Sequence, residues 1–177
     1  LAKAQSIAWG CARLARAQGA ELVACCLNDK ARTHVEPLTQ ALDIDLVNCD
    51  VEQPGELAAL VNHAAETLGG LDFVIHSIAW APMADLRGRI VASSSEGFSR
   101  GMTVSCHSFA ALAKRCAPLM PTGGSLITMS YLGAEEVVPV GVAGGVQDPR
   151  HAGVVDSGES VRRGGRANRV DGDLDVA

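Results

Sequence analysis

The sequence predicts an α/β fold, a doubly wound parallel sheet of the Rossmann-like type that is incomplete. Short runs rich in Val, Ile, Leu and Cys alternate with longer segments of helical periodicity as far as residue 139. Strands and helices that alternate at this spacing form βαβ units, whose parallel strands are buried on both faces. The chain opens at the turn into a helix rather than with a strand. We therefore expect the first strand and the C-terminal elements of this fold to be missing.

Each element has its own local signal. Gly19 closes the first helical pattern, Asn28 turns the chain into the second, and Gly69 ends the third. Pro54 is expected early in the third helix, where its missing N–H costs little. We expect strands at 21–27, 44–48, 71–76 and 125–129, and helices that end near 18, 42, 68 and 119, the last of them beginning near 96.

The two ends of the chain differ from the middle. In the usual strand order the first strand lies in the centre of the sheet, so its absence would leave two neighbours without a hydrogen-bonding partner. Residues 140–177 are rich in Gly, Arg and Asp and have no sustained period. We expect 1–139 to be a partial domain of this fold, and 140–177, a Gly/Arg/Asp-rich segment, to be disordered or the product of a frameshift.

Composition excludes several classes of function. Hydrophobic residues make up 47% and charged residues 20%, as in an ordinary globular domain. The net charge of −5, without a basic stripe, argues against a nucleic-acid partner. No apolar run reaches the length of a membrane span. The six cysteines form no Cys-x-x-Cys pair, which predicts free thiols and a cytoplasmic location. The five histidines also lack metal-ligand spacing, so no metal site is expected.

Polar or flexible residues follow successive predicted strands. Ser6 opens a helix whose exposed N–H groups could hold a pyrophosphate, or it is simply the N-cap. Asp50 could bind part of a nucleotide or cap the next helix. Ile78 lies in a Ser-Ile-Ala turn after a third strand. Because the carboxyl ends of parallel strands meet at one edge, these three signals together predict a dinucleotide crevice.

Tyr131 is the candidate catalytic residue. It is the chain's one tyrosine and follows the strand expected at 125–129. A tyrosine at a strand end can donate a proton or stabilise an oxyanion. The alternative is a tyrosine that packs locally and satisfies its own hydroxyl.

Five segments, in order along 1–139, carry a resemblance to a known family. Together they resemble bacterial NADH-dependent enoyl-acyl-carrier-protein reductase, a divergent branch of the short-chain dehydrogenase/reductases. The resemblance implies an oxidoreductase of fatty-acid biosynthesis that moves hydride from NADH to the double bond of a trans-2-enoyl thioester. It also implies that 1–139 is a partial dinucleotide-binding reductase domain, with an acyl-carrier-protein partner and a homo-oligomeric state, a tetramer in the family. The segments are Gln5-Ser-Ile-Ala-Trp-Gly10, Leu27-Asn-Asp-Lys30, Cys49-Asp-Val51, His76-Ser-Ile78 with Ala81-Pro82, and Ser130-Tyr-Leu-Gly-Ala-Glu135.

The resemblance also assigns roles to individual residues. Tyr131 matches the first of the family's two active-site tyrosines, and Ala81 would line the acyl pocket. The other matching positions are on the cofactor side. They are Ser6 and Ile7 at the pyrophosphate and ribose, Leu27 at the adenosine, Asp50 and Val51 around the adenine, and Ile78 against the cofactor at the next strand end.

The sequence departs from the family after residue 139. The family's second tyrosine and its lysine would fall at Gly141 and Asp148. Glycine has no hydroxyl, and aspartate would repel an anion, so the chain itself is expected to be inactive. The alternative is a non-catalytic nucleotide-binding remnant or an inert fragment. A ketoacyl or alcohol reductase is disfavoured, since no Tyr-x-x-x-Lys follows Ser130.

Overall fold

Parallel strands alternate with helices along the part of the chain that the structure describes. A computed structural model describes residues 1, 3–87 and 90–130. Each predicted strand is present within two residues of its expected limits, which confirms the α/β prediction. The strands are β1 (Val23–Cys26), β2 (Asp45–Asn48), β3 (Phe73–His76) and β4 (Ser125–Thr128), and the helices are α1 (Ile7–Ala17), α2 (Asp29–Gln40), α3 (Glu56–Leu68), α4 (Ser95–Met102) and α5 (Ser108–Cys116).

The described strands form two parallel pairs rather than one continuous sheet. β1 pairs with β2, with Val23 opposite Asp45, and β3 pairs with β4, with Phe73 opposite Ser125. The parallel direction confirms the βαβ prediction. The two pairs thus form only part of a doubly wound sheet, as the prediction of an incomplete fold expects.

The first two helices begin and end where the sequence predicts. The side chain of Ser6 accepts a backbone N–H at the start of α1, and the side chain of Asn28 does so at the start of α2. Gly19 has a φ of 89° just beyond α1, a left-handed conformation that glycine adopts at low cost. Local side-chain and backbone chemistry therefore fixes both helices.

Two details of the helix prediction are wrong. α3 begins at Glu56, so Pro54 lies in the preceding turn, because Gly55 at the N-cap has a φ of 89° that no α-helix contains. The helix expected from 96 to 119 is interrupted by a π-helical turn, Thr103–His107, and ends in a 3-10 turn, Ala117–Leu119. π turns inside α-helices are rare and often occur at functional sites.

Each pair of strands has its own hydrophobic core. On the first pair, Val35 of α2 is fully buried against Cys26 and Leu46. On the second pair, Val61 of α3 packs with Leu112 of α5 in a cluster that also holds Cys116 and Met120. Between the two pairs lies an apolar cavity of about 430 Å³.

The described residues contain neither a membrane-spanning helix nor a cluster of metal ligands. None of the helices among residues 1, 3–87 and 90–130 is long and apolar enough to cross a membrane. Within the same ranges, no three His, Cys, Asp or Glu side chains are grouped so that they could hold a metal ion.

Candidate dinucleotide site

The N-terminus of α1 provides exposed backbone donors. The Ser6 hydroxyl accepts the Trp9 N–H at 3.2 Å and donates to the Lys3 carbonyl at 2.8 Å, so Ser6 is the N-cap. The first turn contains no acidic residue. The first N–H groups of any helix lack intrahelical partners, and the helix dipole favours an anion there. Ser6 as an N-cap is thus compatible with a phosphate bound at Ile7, the first residue of the helix.

Asp50 organises the loop after β2 without capping a helix. Its Oδ1 accepts the Glu52 N–H at 3.0 Å, and its own N–H donates to Oε2 of Glu56 at 2.6 Å. The N-cap position of α3 is Gly55, which makes no side-chain capping bond. The interpretation of Asp50 as a helix cap is therefore wrong. A half-buried carboxylate at a strand end remains available to a ligand.

The structure brings together only some of the residues that the sequence proposes for the site. Val51 and Ile78 are both half-buried and line the same cavity between the strand pairs. Leu27 is 55% exposed just after β1, and Ala81 is exposed in the loop after β3. Neither is among the described residues that line the cavity. Tyr131 lies outside the described residues.

An ion pair braces the loops after β2 and β3, and sequence reasoning missed it. Arg100 of α4 donates through Nε and Nη2 to the Glu52 carboxylate, with both shortest distances at 2.7 Å. Its guanidinium also lies 4.1 Å from the centre of the Trp80 ring. The paired guanidinium lowers the pKa of Glu52, chiefly by hydrogen bonding, and the carboxylate raises the pKa of Arg100. No spacing rule predicts partners this far apart in sequence.

The π-helical turn holds the loop after β3 through a second contact to Trp80. Ser105 accepts the backbone N–H of Trp80 at 2.9 Å, and its hydroxyl lies 3.3 Å from the Trp80 carbonyl. One side chain thus satisfies both backbone groups of Trp80 in an irregular loop. The loop that carries Ile78 and Ala81 is therefore anchored on the two sides of Trp80, by Arg100 and by Ser105.

His76 is a buried structural residue rather than a catalytic base. It is 2% exposed, with Nε2 2.7 Å from the Ser108 hydroxyl and Nδ1 3.0 Å from Thr128 Oγ1. Ser108 donates its proton to the Val104 carbonyl at 2.6 Å, so Nε2 carries the hydrogen and Nδ1 accepts from Thr128. Burial lowers the pKa of His76, which keeps the ring neutral.

Four of the cysteines are poor nucleophiles. All six are free, as the sequence predicts. Burial raises the pKa of Cys49 to about 12, with smaller contributions from nearby acidic groups, and it also raises the pKa of Cys25, Cys26 and Cys116. Because the thiolate is the reactive form, these thiols are unreactive near neutral pH.

The architecture defines an α/β protein of the Rossmann-like class with a candidate nucleotide site at its strand ends. The family model for enoyl-(acyl carrier protein) reductase matches residues 1–147. Because that match covers most of the chain, the protein belongs to the enoyl-(acyl carrier protein) reductase family.

Curated proteins and solved structures agree with this family. NADH enoyl-acyl-carrier-protein reductase 2 of Rhizobium meliloti is 40% identical over 140 residues, which are 78% of this chain and 52% of that protein. The Aquifex aeolicus NADH enzyme is 36% identical over 141 residues, 78% of this chain and 52% of that protein. The Anaplasma phagocytophilum reductase in complex with NAD superposes with a TM-score of 0.75 at 40% identity, covering 78% of this chain and 53% of that one. The chain thus spans about half the length of the curated relatives it matches.

Proposed function

We propose that this chain is the dinucleotide-binding part of an NADH-dependent enoyl-acyl-carrier-protein reductase of fatty-acid biosynthesis. The observation that carries the proposal is the 40% identity, over 140 residues, to a curated protein named for this activity. The activity is the reduction of a trans-2-enoyl thioester, in which hydride from NADH adds to the double bond. The negative charge that develops on the thioester oxygen needs a hydrogen-bond donor beside it.

The described residues fit a dinucleotide. The N-terminus of α1, free of acidic residues in its first turn, suits a pyrophosphate at Ser6 and Ile7. In the loop after β2, Asp50 offers a carboxylate and Val51 an apolar surface, which suit the edge and face of an adenine ring. Ile78 presents a second apolar side chain to the same cavity as Val51.

The other cofactor and substrate positions rest on the family resemblance. Leu27 lies exposed after β1, where an adenosine would pass. Ala81 lies in the loop that Trp80 anchors and would border the acyl chain of the substrate. Tyr131 would be the donor to the thioester oxygen. An acyl carrier protein would present the substrate to a cytoplasmic homotetramer.

A second candidate is nucleotide binding without turnover. Gly141 and Asp148 stand where the family resemblance puts a tyrosine and a lysine. Neither residue can supply a hydroxyl donor or a positive charge. The 177-residue chain is therefore expected to bind NADH but not to reduce an enoyl thioester.

Titration calorimetry with NADH tests the cofactor site. Asp50→Ala is expected to weaken NADH binding about tenfold, the loss of one charge-assisted hydrogen bond. Glu66→Ala is the matched control, because Glu66 is an exposed carboxylate of α3 that is not among the described residues lining the cavity with Val51 and Ile78. Thermal melts of both variants separate a lost contact from a lost fold. Equal binding by the two variants would contradict the assigned role of Asp50.

Turnover is measured separately with crotonyl thioester, by following the loss of NADH absorbance. Binding without turnover supports the second candidate, and enoyl-dependent oxidation of NADH would refute it. A folded chain that binds no NADH would overturn both candidates. The three outcomes are distinguishable because folding, binding and turnover each have their own measurement.

A further inference from the structure

The loop after β3 lies against one side of the helical segment that begins with α4. The Ser105 hydroxyl accepts the Trp80 N–H at 2.9 Å and lies 3.3 Å from the Trp80 carbonyl oxygen. One helical turn earlier, a Cβ at Gly101 would lie only 3.3 Å from that same oxygen. The loop, which carries Ile78 and Ala81, therefore takes its position from the helix surface around Ser105.

Ser105 lies in the middle of the π-helical turn, Thr103–His107, which joins α4 to α5. In a π turn each N–H bonds to the carbonyl five residues earlier, so the turn encloses one more residue than an α turn. The Ser108 N–H accordingly bonds to the Thr103 carbonyl. In an α-helix it would bond to Val104 instead, and this difference of one residue would rotate Ser105 about the helix axis relative to α5.

The Ser108 side chain replaces the hydrogen bond that the π turn removes from Val104. Its hydroxyl donates to the Val104 carbonyl at 2.6 Å, and that carbonyl is the acceptor that an α-helix would pair with the Ser108 N–H. Val104 is only 7% exposed, and a buried carbonyl without a partner is unfavourable. The Ser108 hydroxyl therefore stabilises the π turn relative to an α turn at this point of the helix.

His76 fixes the direction in which the Ser108 hydroxyl donates. Its Nε2 lies 2.7 Å from Ser108 Oγ, and both residues are buried. Because the one hydroxyl hydrogen of Ser108 is used on Val104, Nε2 donates to Ser108, and Nδ1 accepts from Thr128 at 3.0 Å. The donors thus follow one another from Thr128 through His76 and Ser108 to Val104. Hydrogen bonds arranged in such a series strengthen one another.

We propose that His76 and Ser108 are positioning residues of the nucleotide site: their hydrogen bond holds the π-helical turn in register, and the turn fixes the loop after β3 through Ser105. The proposal rests on the proposed function, in which Ile78 and Ala81 of that loop border the cofactor and the acyl chain. His76 and Ser108 are buried and act through the backbone of the turn, so neither needs to touch a ligand. A change of register would displace the loop without removing any group that contacts NADH.

Fluorine NMR of the 177-residue chain labelled with 5-fluorotryptophan tests the hold on the loop without any ligand. The chain has two tryptophans, Trp9 and Trp80, and Trp80→Phe assigns their resonances. Ser108→Ala is expected to shift the Trp80 resonance and to leave that of Trp9, in α1, unchanged. Ser99→Ala is the matched control, because it removes the hydroxyl of an exposed serine of α4. An unchanged Trp80 resonance in a folded Ser108→Ala chain would overturn the proposal, as would an equal shift in Ser99→Ala.

The affinity for NADH, measured by titration calorimetry, tests the effect on the nucleotide site. Ser105→Ala and Ser108→Ala are each expected to weaken binding about threefold to tenfold, the effect of one hydrogen bond. Because Ser108 acts through Ser105, the double variant is expected to bind no more weakly than the weaker of the two single variants. Ser99→Ala is expected to bind NADH normally. Additive losses in the double variant would show that Ser108 acts independently of the turn, and they would overturn the proposal.

The two measurements fail separately. If the unmodified chain binds no NADH, the proposed function fails, while the Trp80 resonance still shows whether Ser108 holds the loop. Ser108→Cys has nearly the same size but hydrogen-bonds only weakly through sulfur, and it replaces Ser108→Ala if the alanine variant does not melt cooperatively. It is expected to shift the Trp80 resonance in the same direction. Loss of NADH affinity with an unshifted Trp80 resonance would give Ser108 a purely structural role and would overturn the proposal.

Discussion

Replacing His76 should remove a specific part of the pH dependence of stability. The ring is neutral and buried, and it connects β3 to β4 through Thr128 and to α5 through Ser108. His76→Gln should lose about 2 kcal/mol at neutral pH, since two hydrogen bonds of about 1 kcal/mol each are disturbed. For a domain of this size, that loss lowers Tm by about 4–8 °C.

The direction of the pH effect follows from the lowered pKa of His76. Below the ordinary histidine pKa of about 6.5, the unfolded chain binds a proton that the folded chain does not. The free energy of unfolding therefore decreases as pH falls below about 6.5, and it stops decreasing only at the lower folded pKa. One proton limits the slope to about 1.4 kcal/mol per pH unit.

Urea denaturation at a series of pH values between about 5 and 8 measures this slope. His76→Gln should flatten it, because the variant has no titrating group at that position. His34→Gln is the matched control, an exposed histidine of α2 that should leave the slope unchanged. A slope in His76→Gln equal to that of the unmodified chain would refute the assignment of a buried neutral ring.

Three further predictions concern packing, backbone conformation and the loop brace. Val35→Ala removes a fully buried side chain and should destabilise the fold by about 2–3 kcal/mol in urea denaturation. Gly69→Ala should lower the free energy of unfolding by about 1–2 kcal/mol, because Gly69 has a φ of 74° that side chains disfavour. Gly10→Ala inside α1 should instead raise it by about 0.5–1 kcal/mol. Equal effects of the two substitutions would contradict this backbone argument. Arg100→Gln should release the loops after β2 and β3, and so weaken NADH binding severalfold and reduce the salt dependence of that binding. Arg13→Gln on α1 should change neither the affinity for NADH nor its salt dependence. Calorimetry at two salt concentrations measures this difference, and identical behaviour of the two arginine variants would exclude a role for the brace.

The strand and helix signals are local, and this is why the sequence predicted them well. Gly19, Asn28 and Gly69 each fix the end or the start of an element through their own φ angle or side-chain hydrogen bond. The misplaced start of α3 has a local cause too. A glycine beside a proline gives two competing signals, and the left-handed φ of Gly55 determined where the helix begins.

The contacts around the site are not local. Arg100 meets Glu52 across 48 positions, and His76 meets Thr128 across 52. Ser105 satisfies the Trp80 backbone from a π-helical turn that no periodicity indicates. Such pairs form only when separate elements have packed, so a pattern within one segment carries no trace of them.

The sequence by itself therefore determined the order of strands and helices, the free thiols and the family resemblance, since each depends on residues close together or in fixed order. Tertiary structure alone decided that Val51 and Ile78 share one cavity, that Asp50 does not cap α3, and that Arg100 braces two loops. It also decided that residues of β1 and β3 line one apolar cavity. The physical reason is that hydrogen-bond partners and cavity walls come from elements far apart in the chain, and only packing brings them together.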